Sequence, residues 1–217
     1  MNKNRYLNEA GQLRLRPSAI GNIMANGKSK GELSVGGKTY IKTLFKKVYL
    51  GYEDELSGKE IEKGITQEDE GIELLNLVYD KKYKKNMITM DADIMRGTCD
   101  ILADEYIRDV KLSWSKKTFP LFKEDAGSSL YEWQLRAYMM LYDREHAYLD
   151  YCLIETNPTL IPAWEPLELH KVNDLPLNMR VTTLRYDRDY TLESQIIDRI
   201  ELARLEWENL KSQFNIK

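Results

Sequence analysis

A chain of 217 residues, 42% of them hydrophobic and 31% charged, has the size and make-up of one soluble globular unit, so residues 1–217 are expected to form a single domain. The formal net charge of −3 speaks at first sight against a polyanionic partner, but net charge governs long-range steering and not what a cleft lined by local lysines does. No apolar run approaches the roughly 18–20 residues that span a bilayer, and the polar start MNKNRYLNEA lacks a leader-like apolar segment, which excludes a membrane span and predicts an intracellular, cytoplasmic protein.

In chain order, Ser18 to Met24 reads as a short helix capped by its serine. From about Lys38 to Tyr52, Ile41, Leu44, Phe45, Val48 and Tyr49 recur at helical spacing and leave Lys42, Lys46 and Lys47 on the other face. A second helix is expected from Gly58 to Tyr79, with Ile61, Ile65, Ile72, Leu75 and Tyr79 on its inner side. Glu68 falls in that stripe, where a carboxylate needs a cationic partner, such as Arg136, or a metal. Met87 to Met95, Thr98 to Ala103 and Tyr106 to Trp114 read as neighbouring strands. In the third, Ile107, Asp109, Lys111 and Ser113 share one face by the period of two, and Val110, Leu112 and Trp114 the other. Leu130 to Tyr142 is a helix whose stripe of Leu130, Gln134, Ala137, Tyr138 and Leu141 is interrupted by a polar amide. Ala147 to Glu155 and Met179 to Tyr186 complete the strands, and a long final helix carries Ile196, Ile200, Ala203, Trp207, Leu210 and Phe214 on one side.

Cys99 and Cys152 are the only cysteines, and His146 and His170 the only histidines. That composition excludes a Cys-ligated zinc or iron–sulfur site and a poly-histidine centre, leaving oxygen ligands and hence magnesium, with manganese as substitute. Asp100 and Asp109 on adjacent strands, with the Val110 carbonyl between Asp109 and Lys111, supply such oxygens. Lys111, one pleat from Asp109, is placed to orient water or to stabilise developing charge in phosphodiester hydrolysis. The string Asp-x-Lys is weak alone, since Asp80-Lys81-Lys82 repeats it in a basic turn. The strand context, with Glu68 and Gln134 on inner helix faces, strengthens it.

These residues resemble the PD-(D/E)XK nuclease superfamily, and within it the YqaJ and lambda-exonuclease group of viral recombination nucleases, over about Ser18 to Tyr142. Gly64-Ile65-Thr66-Gln67-Glu68 is similar to the family's Gly-x-x-x-Glu helix, and Cys99-Asp100 to its Pro-Asp, without the proline. Asp109-Val110-Lys111 matches its Glu-x-Lys, and Gln134 to Tyr138 its Gln-x-x-x-Tyr helix. The resemblance implies an α/β restriction-endonuclease-like core, a mixed central sheet flanked by helices, with Glu68, Asp100, Asp109, Lys111 and Gln134 as catalytic residues. It implies a metal held by Asp100, Asp109, Glu68 and the Val110 carbonyl, and exonuclease cleavage of double-stranded DNA with a free end to 5′-phosphate products in recombination or end processing. Ser18 matches a serine that contacts the terminal 5′-phosphate; its companion arginine has no counterpart at Gly11, leaving Arg16, or Arg14, for that role. A structure-specific endonuclease and a catalytically silent binding protein remain the alternatives. A single-strand annealing recombinase as partner and assembly with copies of itself stay open, as does origin in a bacterium or a phage-infected host cell.

Overall fold

The centre of the fold is a strand–helix–strand crossover. In the computed structural model, which describes residues 5–29, 31–54 and 57–216, β4 (Tyr106–Leu112) and β5 (His146–Cys152) run parallel, joined through helix α4 (Ser129–Tyr142). Parallel neighbours require such a crossover, and its helix must lie on one face of the sheet. β3 (Ile101–Leu102) and β6 (Val181–Asp187) pair antiparallel at the two edges, giving a mixed sheet in the order β3-β4-β5-β6. β1 (Met90–Asp91) and β2 (Arg96–Gly97) form a separate antiparallel ribbon. The first four residues of the polar start lie outside the described residues. No helix among those described is long and apolar enough to cross a membrane.

Helices cover both faces. On one side lie α4, the 3-10 helix Pro17–Ile23, α1 (Val35–Leu50) and α5 (Tyr190–Gln213), around a core that includes Ile41, Leu44, Ile107, Leu135, Leu149, Ile196 and Trp207. On the other, α2 (Lys59–Thr66) and α3 (Glu68–Tyr79) accompany a smaller core of Ile72, Leu75, Ile101, Val110 and Cys152. α3 packs close to β4: a Cβ on Gly71 would meet Leu112 Cδ2 at 2.6 Å and Val110 Cγ1 at 3.1 Å. Glycine allows that approach without displacing the Leu112 side chain.

Several sequence expectations need correction. The helix expected over Gly58 to Tyr79 breaks at Gln67 (φ −117°, ψ 14°), and Ile61 and Ile65 face solvent at 43% and 58% exposure. The inner face is polar there, formed by Lys63 and Gln67. Met87 to Met95 is not one strand, for Lys81 to Thr89 runs without ladder pairing and Met87 is 81% exposed. Ser18 sits inside its 3-10 helix, whose N-cap is Arg16, so it is no cap. Leu130 and Phe214 are exposed although their stripes place them inside. The decoy at Asp80 is the left-handed C-cap of α3, with φ 50°.

Candidate active site

β4 alternates as its sequence requires. Ile107 and Asp109 turn toward α4, while Arg108 and Val110 turn toward α3. Asp109 is buried, and Gln134 Nε2 on α4 donates to its Oδ1 at 2.6 Å. Lys111 Nζ lies 2.5 Å from the other oxygen, Oδ2. That oxygen makes no regular hydrogen bond, so the lysine meets it as an ion pair. The Lys111 ammonium also stands 5.0 Å from the Tyr131 ring centre, a cation over a π face.

Asp100 reaches the same place from the start of β3, and its Oδ2 accepts the Val110 N–H at 2.7 Å. Asp100, Asp109, Val110, Lys111 and Gln134 are thus brought together by two adjacent strands and the crossover helix. Burial, and then the charge of Asp109, push the Asp100 carboxyl up to about 8; Lys111 and the Val110 amide oppose this, and Glu68 adds to it. Burial works to lower the Lys111 ammonium, but the charges of Asp109 and Asp100 outweigh it and hold the group above the usual lysine range. Glu68, on the first turn of α3, is close enough to act on Asp100 electrostatically, and its carboxylate pairs with Lys85 at 3.1 Å. Arg136, its alternative partner, binds Glu132 instead.

A buried carboxylate, Asp109, and a half-buried one, Asp100, face one lysine, leaving a negative charge that either a proton on Asp100 or a further cation must balance. The donors are all hard oxygens, which fits magnesium or manganese. Among the described residues, no group of three or more His, Cys, Asp or Glu side chains is gathered as a ready-made metal cage. Magnesium asks for less, because one or two carboxylates suffice when water and substrate phosphate complete its shell. The histidines stand elsewhere: His146 pairs with Asp187, and His170 contacts Thr156.

Two residues before Asp100, Thr98 lines a cavity of about 280 Å³ together with Arg5, Arg16, Ser18, Thr89 and Arg96. Arg16 and Ser18 are thereby brought together, whereas buried Arg14 pairs with Asp91 and lines a neighbouring cavity. Tyr138 ties this cavity to the carboxylates by donating to the Thr98 carbonyl at 2.7 Å, one turn of α4 beyond Gln134. Arg5, Arg96 and Tyr131 are additions to the residues read from the sequence, where Lys85 figures only within the lysine cluster from Lys81 to Lys85. For Arg96 a signal existed, since Arg96, Thr98 and Asp100 alternate toward one side. Of the aromatic residues after β4, Trp114 and Phe119 are buried and Phe122 is exposed.

No family model and no curated protein matches the chain. Solved structures do. A phage related exonuclease from Haemophilus somnus 129PT is 28% identical, with a TM-score of 0.88 over 94% of this chain and 97% of that one. An alkaline exonuclease from Laribacter hongkongensis shares the fold at 13% identity, with a TM-score of 0.69 over 93% of this chain and 91% of its own. The same enzyme in complex with dAMP gives 15% identity and a TM-score of 0.67, covering 93% of each chain. These neighbours agree with the mixed α/β nuclease fold and with the resemblance to YqaJ and lambda-exonuclease-like PD-(D/E)XK nucleases read over about Ser18 to Tyr142.

Proposed function

We propose that this chain, whose fold and solved neighbours are those of exonucleases, hydrolyses phosphodiester bonds at the ends of double-stranded DNA, with magnesium or manganese, to release 5′-phosphate products. The observation that carries the reading is the convergence of Asp100, Asp109 and Lys111 two residues from an arginine-edged cavity at Thr98. Asp100, Asp109, the Val110 carbonyl and Glu68 would hold the metal, which when bound supplies charge neutralisation at the scissile phosphate.

The chain's own groups account for the remaining steps. Lys111, held against Asp109 and within the electrostatic reach of Asp100, would orient a water for attack on phosphorus and stabilise the charge that builds on the phosphoryl oxygens. The water oxygen bonds to phosphorus and releases a proton to solvent, the bond from phosphorus to the 3′ oxygen breaks, and that oxygen takes up a proton from solvent. The products are a 5′-phosphate and a 3′-hydroxyl. Gln134 holds Asp109 in one orientation throughout. Ser18, Arg16 and Arg96 would receive a terminal 5′-phosphate, because guanidinium groups and a hydroxyl match phosphate oxygens. The bound dAMP of the Laribacter hongkongensis enzyme supports a nucleotide ligand for this fold. A role in recombination or end processing is the part of this reading that the phage related neighbour supports.

A time course on duplexes labelled at either end, with and without 5′-phosphate, tests the reading, with closed circular DNA alongside. Linear duplex should be degraded from an end and the circle spared. Cleavage of the circle would establish the endonuclease instead. Intact DNA of every form, with no metal bound, would leave the silent binding protein. Asp100→Ala and Lys111→Ala should each abolish cleavage while far-UV circular dichroism stays unchanged; an active variant removes that residue from the mechanism.

A further inference from the structure

Lys63 is fully buried, and its four hydrogen-bond partners are neutral. Nζ donates to the carbonyls of Ser113 at 2.7 Å, Trp114 at 3.2 Å and Ile154 at 3.0 Å, and to Thr156 Oγ1 at 2.8 Å. These groups lie just beyond the ends of β4 and β5. Burial lowers the ammonium to about 8, with the charge of Glu70 acting in the opposite sense. A charge placed so is costly, and an apolar side chain of the same length would bury the helix without that cost. What the lysine adds is a set of directional donors reaching two strand ends at once.

Its helix has little else to hold it. Lys63 is the buried residue of α2, and neither Ile61 nor Ile65 packs inside. One turn later, Gln67 continues the anchorage where the chain breaks: Nε2 donates to the Glu155 carbonyl at 2.9 Å and Oε1 accepts from the Asn157 N–H at 3.0 Å. Glu68 is the next residue. Its contact with Lys85 is at the surface, so the direction in which its carboxylate enters the site depends on where the preceding turn is fastened. Half of the Lys63 fastening is to the two residues just past Leu112, where the strand that carries Asp109 and Lys111 ends, and the rest, with that of Gln67, is to residues 154–157 beyond β5.

We infer that Lys63 is a positioning residue for Glu68, binding the α2–α3 junction to the exit of β4 and so fixing the distance between the carboxylate on α3 and those of Asp100 and Asp109. This rests on the nuclease reading only in its consequence for metal, not in the anchorage.

Lys63→Met keeps the length and removes the donors. The full chain, as wild type, Lys63→Met, Glu68→Gln and the double variant, is titrated with Mn²⁺ and followed by electron paramagnetic resonance, with amide hydrogen exchange measured on each. Lys63→Met should weaken Mn²⁺ binding by about tenfold, the scale of an orienting residue, and the double variant should bind no more weakly than Glu68→Gln. Exchange should rise at residues 66–71. Thr156→Val, which removes one of the four acceptors, should shift both readouts less in the same direction and carries the comparison where Lys63→Met does not fold. Unchanged Mn²⁺ affinity, or a loss that adds in full to that of Glu68→Gln, overturns the inference. If wild type binds no Mn²⁺, the nuclease reading fails, and the exchange at residues 66–71 alone decides the anchorage: a rise sustains it, wild-type protection overturns it.

Discussion

Gln134 and Asp109, on a helix and a strand 25 residues apart in sequence, are joined by a buried hydrogen bond of 2.6 Å that leaves the second carboxylate oxygen to Lys111. The crossover geometry makes this bond, because α4 must return over the face of β4 on which Asp109 lies. One oxygen is spent on orientation and the other stays available for charge.

Gln134→Leu therefore separates orientation from charge. We expect metal affinity and kcat to fall by roughly 10–100-fold, the range seen when the residue orienting a ligand is lost. An unpaired buried oxygen should also cost about 1–3 kcal/mol of stability. Calorimetric titration with Mg²⁺ and urea unfolding check the two effects separately; a variant with full metal affinity would make Gln134 a packing residue.

Asp100 gives a pH dependence whose sign is fixed. Its carboxyl rises from 3.8 to about 8 on folding, through burial and the charge of Asp109. A group raised in this way contributes stability that is fully present below the unfolded value and lost as pH climbs through the folded one, at up to about 1.4 kcal/mol per pH unit. In EDTA, the wild type should lose stability relative to Asp100→Asn between pH 4 and pH 8. Metal acts oppositely: it needs the ionised carboxylate, so affinity should climb toward pH 8 with proton release. Urea melts of both proteins at pH 5 and pH 8 decide it, and an identical difference at the two values would remove Asp100 as the titrating group.

What the sequence shows well is what one element can show alone. The alternation along Tyr106 to Leu112 places Asp109 and Lys111 side by side, and the stripes of α1 and α5 match their buried faces from Ile41 to Val48 and from Ile196 to Leu210. The reading is weaker where the inner face is polar. Lys63 and Gln67 look like surface residues and Ile61 and Ile65 like core, because the partners that reverse this, the carbonyls of Ser113, Ile154 and Glu155, are 50 to 91 residues away. Arg5 in the cavity beside Ser18 is likewise a tertiary fact, since nothing around it in the chain signals a phosphate.

A second buried charge pair should behave in contrast to the site. Arg108 meets both oxygens of Asp150 at 3.0 and 2.9 Å on the α3 side of the sheet, with its guanidinium 4.6 to 5.8 Å from the ring centres of Tyr148, Tyr79, Tyr83 and Tyr106. Removing one partner strands the other in a dry aromatic box. Asp150→Ala should destabilise by about 3–5 kcal/mol and leave Mn²⁺ affinity unchanged below its melting temperature. A change in affinity without loss of stability would tie Arg108 to the site.

Arg96 links the ribbon to the cavity beside Asp100, and it bears most directly on end recognition. Its guanidinium pairs with Asp91 at 3.0 Å while lining the space shared with Arg16 and Ser18. An exposed pair of this kind contributes little to stability, so Arg96→Gln should fold as the wild type does. On duplexes with a 5′-phosphate its KM should rise by about tenfold, as expected for one lost charge-assisted bond, with kcat nearly unchanged. On 5′-hydroxyl ends, wild type and variant should converge, because the group that Arg96 would bind is absent. Steady-state kinetics on the two duplexes test this, and an equal loss on both ends would make Arg96 a general DNA contact rather than a reader of the terminal phosphate.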